Sequence, residues 1–186
     1  MVAIEKKMTW QEFRELEVGD EDNYIYELIN GILMRRTAPS LIHHDISRNL
    51  EKQLDKFLEQ NPIGKFYHAP VDVYLDDDNG LIPDISFISK ERAFLTENKD
   101  YIAGVPDLIV EIISPGNIKR DRVEKKELYE KFAVKEFWLV DPQNRTVEVF
   151  VMKDDAFALQ AFLEVEGKLT STVLTGFEME IKELFA

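Results

Sequence analysis

Residues 108–113 read Leu-Ile-Val-Glu-Ile-Ile, a nearly continuous apolar run with one carboxylate inside it. A run without polar alternation belongs to a strand covered on both faces, so the rest of the chain must supply layers on either side of a sheet. Strand alternation puts Glu111 on the face of Ile109 and Ile113. An unpaired carboxylate there costs several kcal/mol or shifts its pKa until it neutralises. Glu111 therefore has one of two roles: a shape-determining partner of a helix or an arginine, or a member of a site that supplies a cation, a metal or a strong donor.

The order of elements fits such layers. Residues 9–18 read as a short amphipathic helix capped by Thr9, with Glu12 completing a capping box. Residues 24–29 and 32–36 read as a β-hairpin, because Asn30-Gly31 supplies the positive φ of a tight turn. Ile42, Ile46, Leu50, Leu54 and Phe57 recur at helical spacing through residues 41–60, and Asn61-Pro62 with Gly64 ends that helix. Strands are expected at 65–75 and 82–88, flanking an acidic turn at 76–80, and at 106–113. After the break at 114–117, residues 118–132 read as a charged helix and 136–140 as a buried strand. Residues 145–152, 157–165 and 169–174 read as a terminal antiparallel set. The pattern is a mixed α/β domain around one central sheet, and no linker, repeat or low-complexity tract divides residues 1–186.

Composition removes several chemistries. With no cysteine, a disulfide framework, a Cys-ligated zinc site, an iron–sulfur cluster and thiol catalysis are excluded, and a reducing compartment is expected. No apolar stretch approaches the roughly 20 residues that span a bilayer, and the start lacks the apolar run of a secretion signal, so a cytoplasmic location is expected. There is no phosphate-binding glycine loop, HExxH or GxSxG, which sets aside kinases, zincins and serine hydrolases. The net charge of −13 opposes nonspecific coating of duplex DNA unless basic residues are concentrated locally or a metal ion intervenes.

Further charged residues stand where apolar ones belong. Asp84 follows a turn and Pro83 at the mouth of a strand, where it either caps the turn or serves a site. Glu27 shares a hairpin face with Ile25 and Ile29, a face that a two-stranded ribbon can also leave wet. At 100° per residue from Asp121, Lys125 falls at about 40°, with Leu128 at about 340°, Phe132 at about 20° and Tyr129 at about 80°. Lys125 thus lies inside the apolar stripe and either snorkels or meets an acid, Asp121 or Glu111. His43 faces the side of Ile46 and Leu50, as a hydrogen-bonded packing residue or a catalyst, while His44 points away and His68 carries no readable signal. Two carboxylates from adjacent strands, one lysine and no cysteine form a hard-oxygen set suited to Mg²⁺ or Mn²⁺ and to phosphodiester hydrolysis.

The ordered segments YELINGIL, PSLIHHDI, PVDVYL, PDISFIS, GVPDLIVEIISP, DRVEKKELYEKFAVKEFWLVDP and LTGFEMEIKELF resemble the Uma2 family, common in cyanobacteria, across nearly the whole chain. That family is a branch of the PD-(D/E)XK restriction-endonuclease-like nucleases. The resemblance implies an α/β fold with an αβββαβ core, a mixed central sheet flanked by helices, an N-terminal helix and hairpin, and C-terminal antiparallel strands, as a single domain over 1–186. It maps the two metal-binding acids to Asp84 and Glu111. The lysine position of the wider E-x-K pattern is occupied by Ile113, and the resemblance moves that lysine onto the following helix, at Lys125. Glu27 and His43 match recurrent family positions and complete the expected catalytic set. Glu136 and Asp141 match as well, but their context fits sheet and turn packing.

The expected activity is that of a Mg²⁺- or Mn²⁺-dependent endodeoxyribonuclease with DNA as substrate. A noncatalytic interaction module on the same fold and a hydrolase of a smaller phosphodiester stay open. Residues 115–135 carry seven Lys or Arg against four Asp or Glu, which makes them the local basic element expected to meet a phosphate backbone. A homodimer is expected on the ground that cutting both strands needs two sites.

Overall fold

The structure, a computed structural model, describes residues 7–16, 24–98, 100–114, 116 and 119–186. Helix α1 (Trp10–Arg14) opens it, and Thr9 and Glu12 make the reciprocal capping box read from the sequence. The rest of the helix expected over 9–18 lies partly outside the described residues. Strands β1 (Tyr24–Ile29) and β2 (Ile32–Thr37) form the hairpin, with Asn30 and Gly31 both at positive φ. Helix α2 (Leu41–Gln60) is capped by Ser40, whose hydroxyl accepts from the His43 amide.

The segment expected as one strand over 65–75 is divided. Residues of β3 (Gly64–His68) join one sheet and those of β4 (Val73–Asp76) join another. Pro70, which has no amide hydrogen to give to a ladder, lies in the gap. After the tight turn come β5 (Asn79–Leu81) and β6 (Ile85–Ser89), then a 3₁₀ segment (Lys90–Thr96), β7 (Ile102–Ala103) and the apolar strand β8 (Leu108–Ile112). A π-helical segment (Arg120–Glu124) runs into α3 (Lys125–Lys131), followed by β9 (Glu136–Asp141), β10 (Thr146–Lys153) and β11 (Ala156–Glu164). The terminal strands β12 (Lys168–Thr170) and β13 (Glu178–Glu180) pair with each other rather than extending the β10–β11 set, and α4 (Ile181–Leu184) closes the chain.

The central sheet has six strands in the order β11-β10-β9-β8-β6-β3. It is mixed: β8 and β9 run parallel across the α3 crossover, and the other neighbours are antiparallel. Its elements α2, β3, β6, β8, α3 and β9 give the αβββαβ order. The sequence reading of one central sheet misses a second, five-stranded sheet, β2-β1-β5-β4-β7.

Both faces of the central sheet are covered, as the run at β8 requires. Val110, Ile112, Trp138 and Val140 pack on one side with Ile46, Leu50 and Leu54 of α2 and with the 169–184 segment. Ile109, Ile113, Phe137 and Leu139 pack on the other with Leu128 and Tyr129 of α3 and with Ile29, Val73 and Leu81 of the smaller sheet. Glu111 projects into this second layer, fully buried. Away from that region Asp107 accepts from the Ser89 amide and pairs with Arg92 and Lys135, while Glu136 accepts from the Trp138 indole and the Val173 amide and also pairs with Thr172. Asp141 accepts amides of Gln143 and Asn144 and pairs with Arg122. Glu136 and Asp141 thus hold sheet and turn, in line with their sequence context.

Helix α1 docks through Trp10, whose ring lies 5.4 Å from that of Tyr74 and 5.3 Å from that of Tyr101. The ring occupies the space that a Cβ at Gly80 would need. We predict that Gly80→Ala costs about 1–3 kcal/mol through this overpacking. Urea denaturation checks it, with unchanged stability as the contrary result.

Candidate active site

The Asn30-Gly31 turn fixes the hairpin register as Glu27 opposite Met34 and Ile25 opposite Arg36. Arg36, two residues beyond Met34, therefore shares the face of Glu27. The β6–β8 ladder pairs Ile85 with Val110, and one further step sets Asp84 opposite Glu111. The Ile112 amide donates to Asp84 Oδ2 at 2.7 Å and ties the two strand ends together.

Helices complete the cluster. His43, in the first turn of α2, places Nε2 3.1 Å from Asp84 Oδ2. Arg36 Nη1 lies 3.5 Å from Asp84 Oδ1, and Nη2 donates to the Ile82 carbonyl at 3.0 Å. Lys125 is 0% exposed and sets Nζ 2.8 Å from Glu27 Oε1 and 2.9 Å from Glu111 Oε1. One turn on, the Tyr129 hydroxyl donates to the same Glu111 oxygen at 2.5 Å. One turn earlier, Asp121 accepts the Ser114 amide at 3.4 Å. The π-helical segment replaces the regular helix assumed from the sequence, with the Lys125 amide bonded to the Arg120 carbonyl five residues back, yet Lys125, Leu128 and Tyr129 still form its inner face. Lys126 instead lies 4.0 Å over the Phe150 ring.

Glu27, Asp84, Glu111, Lys125 and His43 are thus brought into one buried cluster, each at most 5% exposed. Glu27 is not on a wet hairpin face, because the five-stranded sheet folds that face onto β8. Arg36 is a member that the sequence reading missed. Its signal was present in the hairpin register, which sets it two residues along the face from the partner of Glu27. His44, read as pointing away, and His68, read as carrying no signal, line a cavity of about 350 Å³ beside Asp84, together with His43, Arg36 and Arg48.

Four buried acids (Glu27, Asp84, Glu111, Asp121) meet three buried cations (Arg36, Arg120, Lys125). Burial works to raise Glu27, but the charges of Lys125 and Arg36, with hydrogen bonds from Lys125 and the Ile82 amide, hold it below its ordinary value. Burial is likewise outweighed at Asp84 by the hydrogen bond and charge of His43, then by Arg36 and Lys125. At Glu111 burial wins: against the pull of Lys125, and with Asp84, Glu27 and Asp121 adding repulsion, the carboxyl is pushed up to about 8. One ammonium serves two carboxylates, and its pull lowers Glu27 while burial holds Glu111 up. Lys125 itself is held well above its ordinary value, since Glu111 and Glu27 outweigh burial.

Glu27 Oε2 and Glu111 Oε2 are buried without a hydrogen-bond partner, as are Arg36 Nε and His43 Nδ1. Among the described residues no three His, Cys, Asp or Glu side chains are drawn together as a closed metal site. Two buried carboxylates at adjoining strand ends, with Glu111 Oε2 unpartnered, offer oxygen ligands only. That donor set fits a hard divalent cation that retains water and phosphate ligands.

A central mixed sheet with acids at adjoining strand ends and a lysine on the crossover helix defines a restriction-endonuclease-like protein. The chain belongs to the Uma2 family, described as "Putative restriction endonuclease", whose model matches residues 10–182. It is similar in fold to a solved structure from Anabaena variabilis ATCC 29413, described as "a putative nuclease belonging to DUF820". That likeness has a TM-score of 0.75 at 22% identity and covers 96% of this chain and 97% of that one. No curated protein matches the chain.

Two outcomes follow from the cluster. Lys125→Ala leaves two buried carboxylates without their cation and should cost about 3–5 kcal/mol, measured by chemical denaturation. A fold of undiminished stability would contradict the burial of Lys125. The second concerns pH. A carboxyl at 4.5 unfolded and about 8 folded makes the folded state bind the extra proton between those values, so its contribution to stability falls as pH rises through that window. Glu111→Gln removes the effect. The difference between variant and wild type should be small near pH 4.5 and should grow in the variant's favour up to pH 8, and a constant difference would contradict it.

Proposed function

We propose that this protein is a divalent-metal-dependent endonuclease that hydrolyses DNA phosphodiester bonds, with residues 1–186 acting as one domain. The observation that carries the reading is the register of β6 and β8, which sets Asp84 against Glu111 at adjoining strand ends with Lys125 at 2.9 Å from Glu111. Bound Mg²⁺ or Mn²⁺ would supply Lewis acidity and an activated water.

The chain's own residues divide the remaining work. Asp84 and Glu111 would hold the cation. Asp84 is fixed for this by the Ile112 amide, His43 and Arg36, and Glu111 contributes its unpartnered Oε2. Lys125 offsets negative charge gathering on the phosphoryl oxygens, and Glu27 fixes its ammonium in place. His43, anchored through Nε2, orients polar groups at the cavity through Nδ1. Cutting both strands of a duplex would use two copies of the site, which a homodimer supplies. No helix among the described residues is long and apolar enough to cross a membrane, and with the lack of cysteine this supports a cytoplasmic setting.

Calorimetry with Mg²⁺ and Mn²⁺ should show binding that weakens at least tenfold in Asp84→Ala. A cleavage assay over duplex, single-stranded and small phosphodiester substrates should show metal-dependent cutting of DNA that the same variant loses. DNA binding of equal strength in EDTA with no cutting would replace the enzyme with a binding module. Turnover of a small diester with little DNA affinity would replace the substrate.

A further inference from the structure

Most basic residues of the 115–135 element have partners, although Lys119 and Lys135 remain largely exposed. Lys119 pairs with Glu124, Arg122 with Asp141 and Glu148, Lys125 with Glu27 and Glu111, and Lys135 with Asp107. Lys126 and Lys131 sit over the rings of Phe150 and Phe132. Arg120 is the exception. It is 7% exposed, Nη1 donates to the Arg35 carbonyl at 3.3 Å, and Nε and Nη2 have no hydrogen-bond partner. Asp121 Oδ1, at 4.0 Å from Nε, is too far to accept a hydrogen bond.

Nε–H and one Nη2–H of a guanidinium point the same way and form the parallel fork that fits two oxygens of a phosphate or carboxylate. In Arg120 that fork is the unused edge, while the remaining nitrogen is pinned to β2. A buried charged donor pair without an acceptor is costly, more so than a lost neutral hydrogen bond. Asp121, 4.0 Å from Nε, also feels the charge of Lys125, which sets the fork beside the acidic cluster. A carboxylate ligand would add to the acids already there. A backbone phosphate is the anion that a metal-bearing site of this kind brings with its substrate.

We propose that Arg120 is a phosphate-binding residue, gripping a nonbridging pair of oxygens on a nucleic-acid backbone phosphate next to the Asp84–Glu111 site. The inference rests on the nuclease reading for its substrate, but its first test does not. The arginine Nε–H signal that disappears from the NMR spectrum of Arg120→Lys identifies the fork. Titration of wild type with inorganic phosphate should move that signal in a saturable way, and a signal unmoved at saturating phosphate would overturn the proposal.

The second test uses a labelled oligonucleotide read by fluorescence anisotropy. Arg120→Lys keeps the charge but loses the fork, and should bind about tenfold more weakly with an unchanged melting temperature. Arg120→Gln should also reduce the salt slope by about one. Binding equal to wild type in both variants would overturn the role of Arg120 while leaving the nuclease reading intact. A wild type that binds no oligonucleotide would remove the nuclease reading, and the phosphate titration would still decide the fork.

Discussion

The ammonium of Lys125 is the point at which three separate parts of the fold meet. Glu27 comes from the five-stranded sheet, Glu111 from the middle of the central sheet and Lys125 from the crossover helix between β8 and β9. A fully buried lysine is tolerated only where its charge is met, so the docking of the small sheet and the seating of α3 are both conditions for the cluster. Such pairs seldom add net stability over apolar packing, and what this one secures is position. It fixes the spacing of two acids that would otherwise repel, at the strand ends where Asp84 arrives beside β6.

Much of this was legible in the residues. The helix over 41–60, the hairpin and the two-faced strand follow from periodicity, turn chemistry and apolar continuity, which act locally. Lys125 stood out because helical phase and sheet-facing burial point the same way, even though the π-helical segment departs from the assumed geometry. What was hidden was nonlocal. The split of residues 65–75 between two sheets depends on which strands β3 and β4 find as partners, and nothing within the segment specifies that. Arg36 was overlooked although the hairpin register contains it, because a basic residue on a hairpin reads as solvated until something folds over it. His44 and His68 reach one cavity only because α2 and the end of β3 converge there.

The same pairing explains why charge counting along the sequence misleads. An excess of lysine and arginine over residues 115–135 suggests a surface for polyanions, but Arg120 and Lys125 are buried and most of the other basic side chains already have partners. They neutralise acids of β1, β8, β9 and β10 or cover aromatic rings. With a net charge of −13, long-range attraction of a polyanion is weak, and the proposed recognition of DNA would depend on short-range contacts at the site.

The electrostatics of the cluster show how those contacts would fit together. Glu27, Asp84, Glu111 and Asp121 are buried with Arg36, Arg120 and Lys125, and the His43 ring nitrogen lies 3.1 Å from Asp84. A divalent cation held by Asp84 and Glu111 would add positive charge to this group and would compete with the proton that burial favours on Glu111. A phosphodiester linkage would bring negative charge back. Metal and substrate would then offset each other, which ties the binding of each to the other in a region where unbalanced charge is expensive.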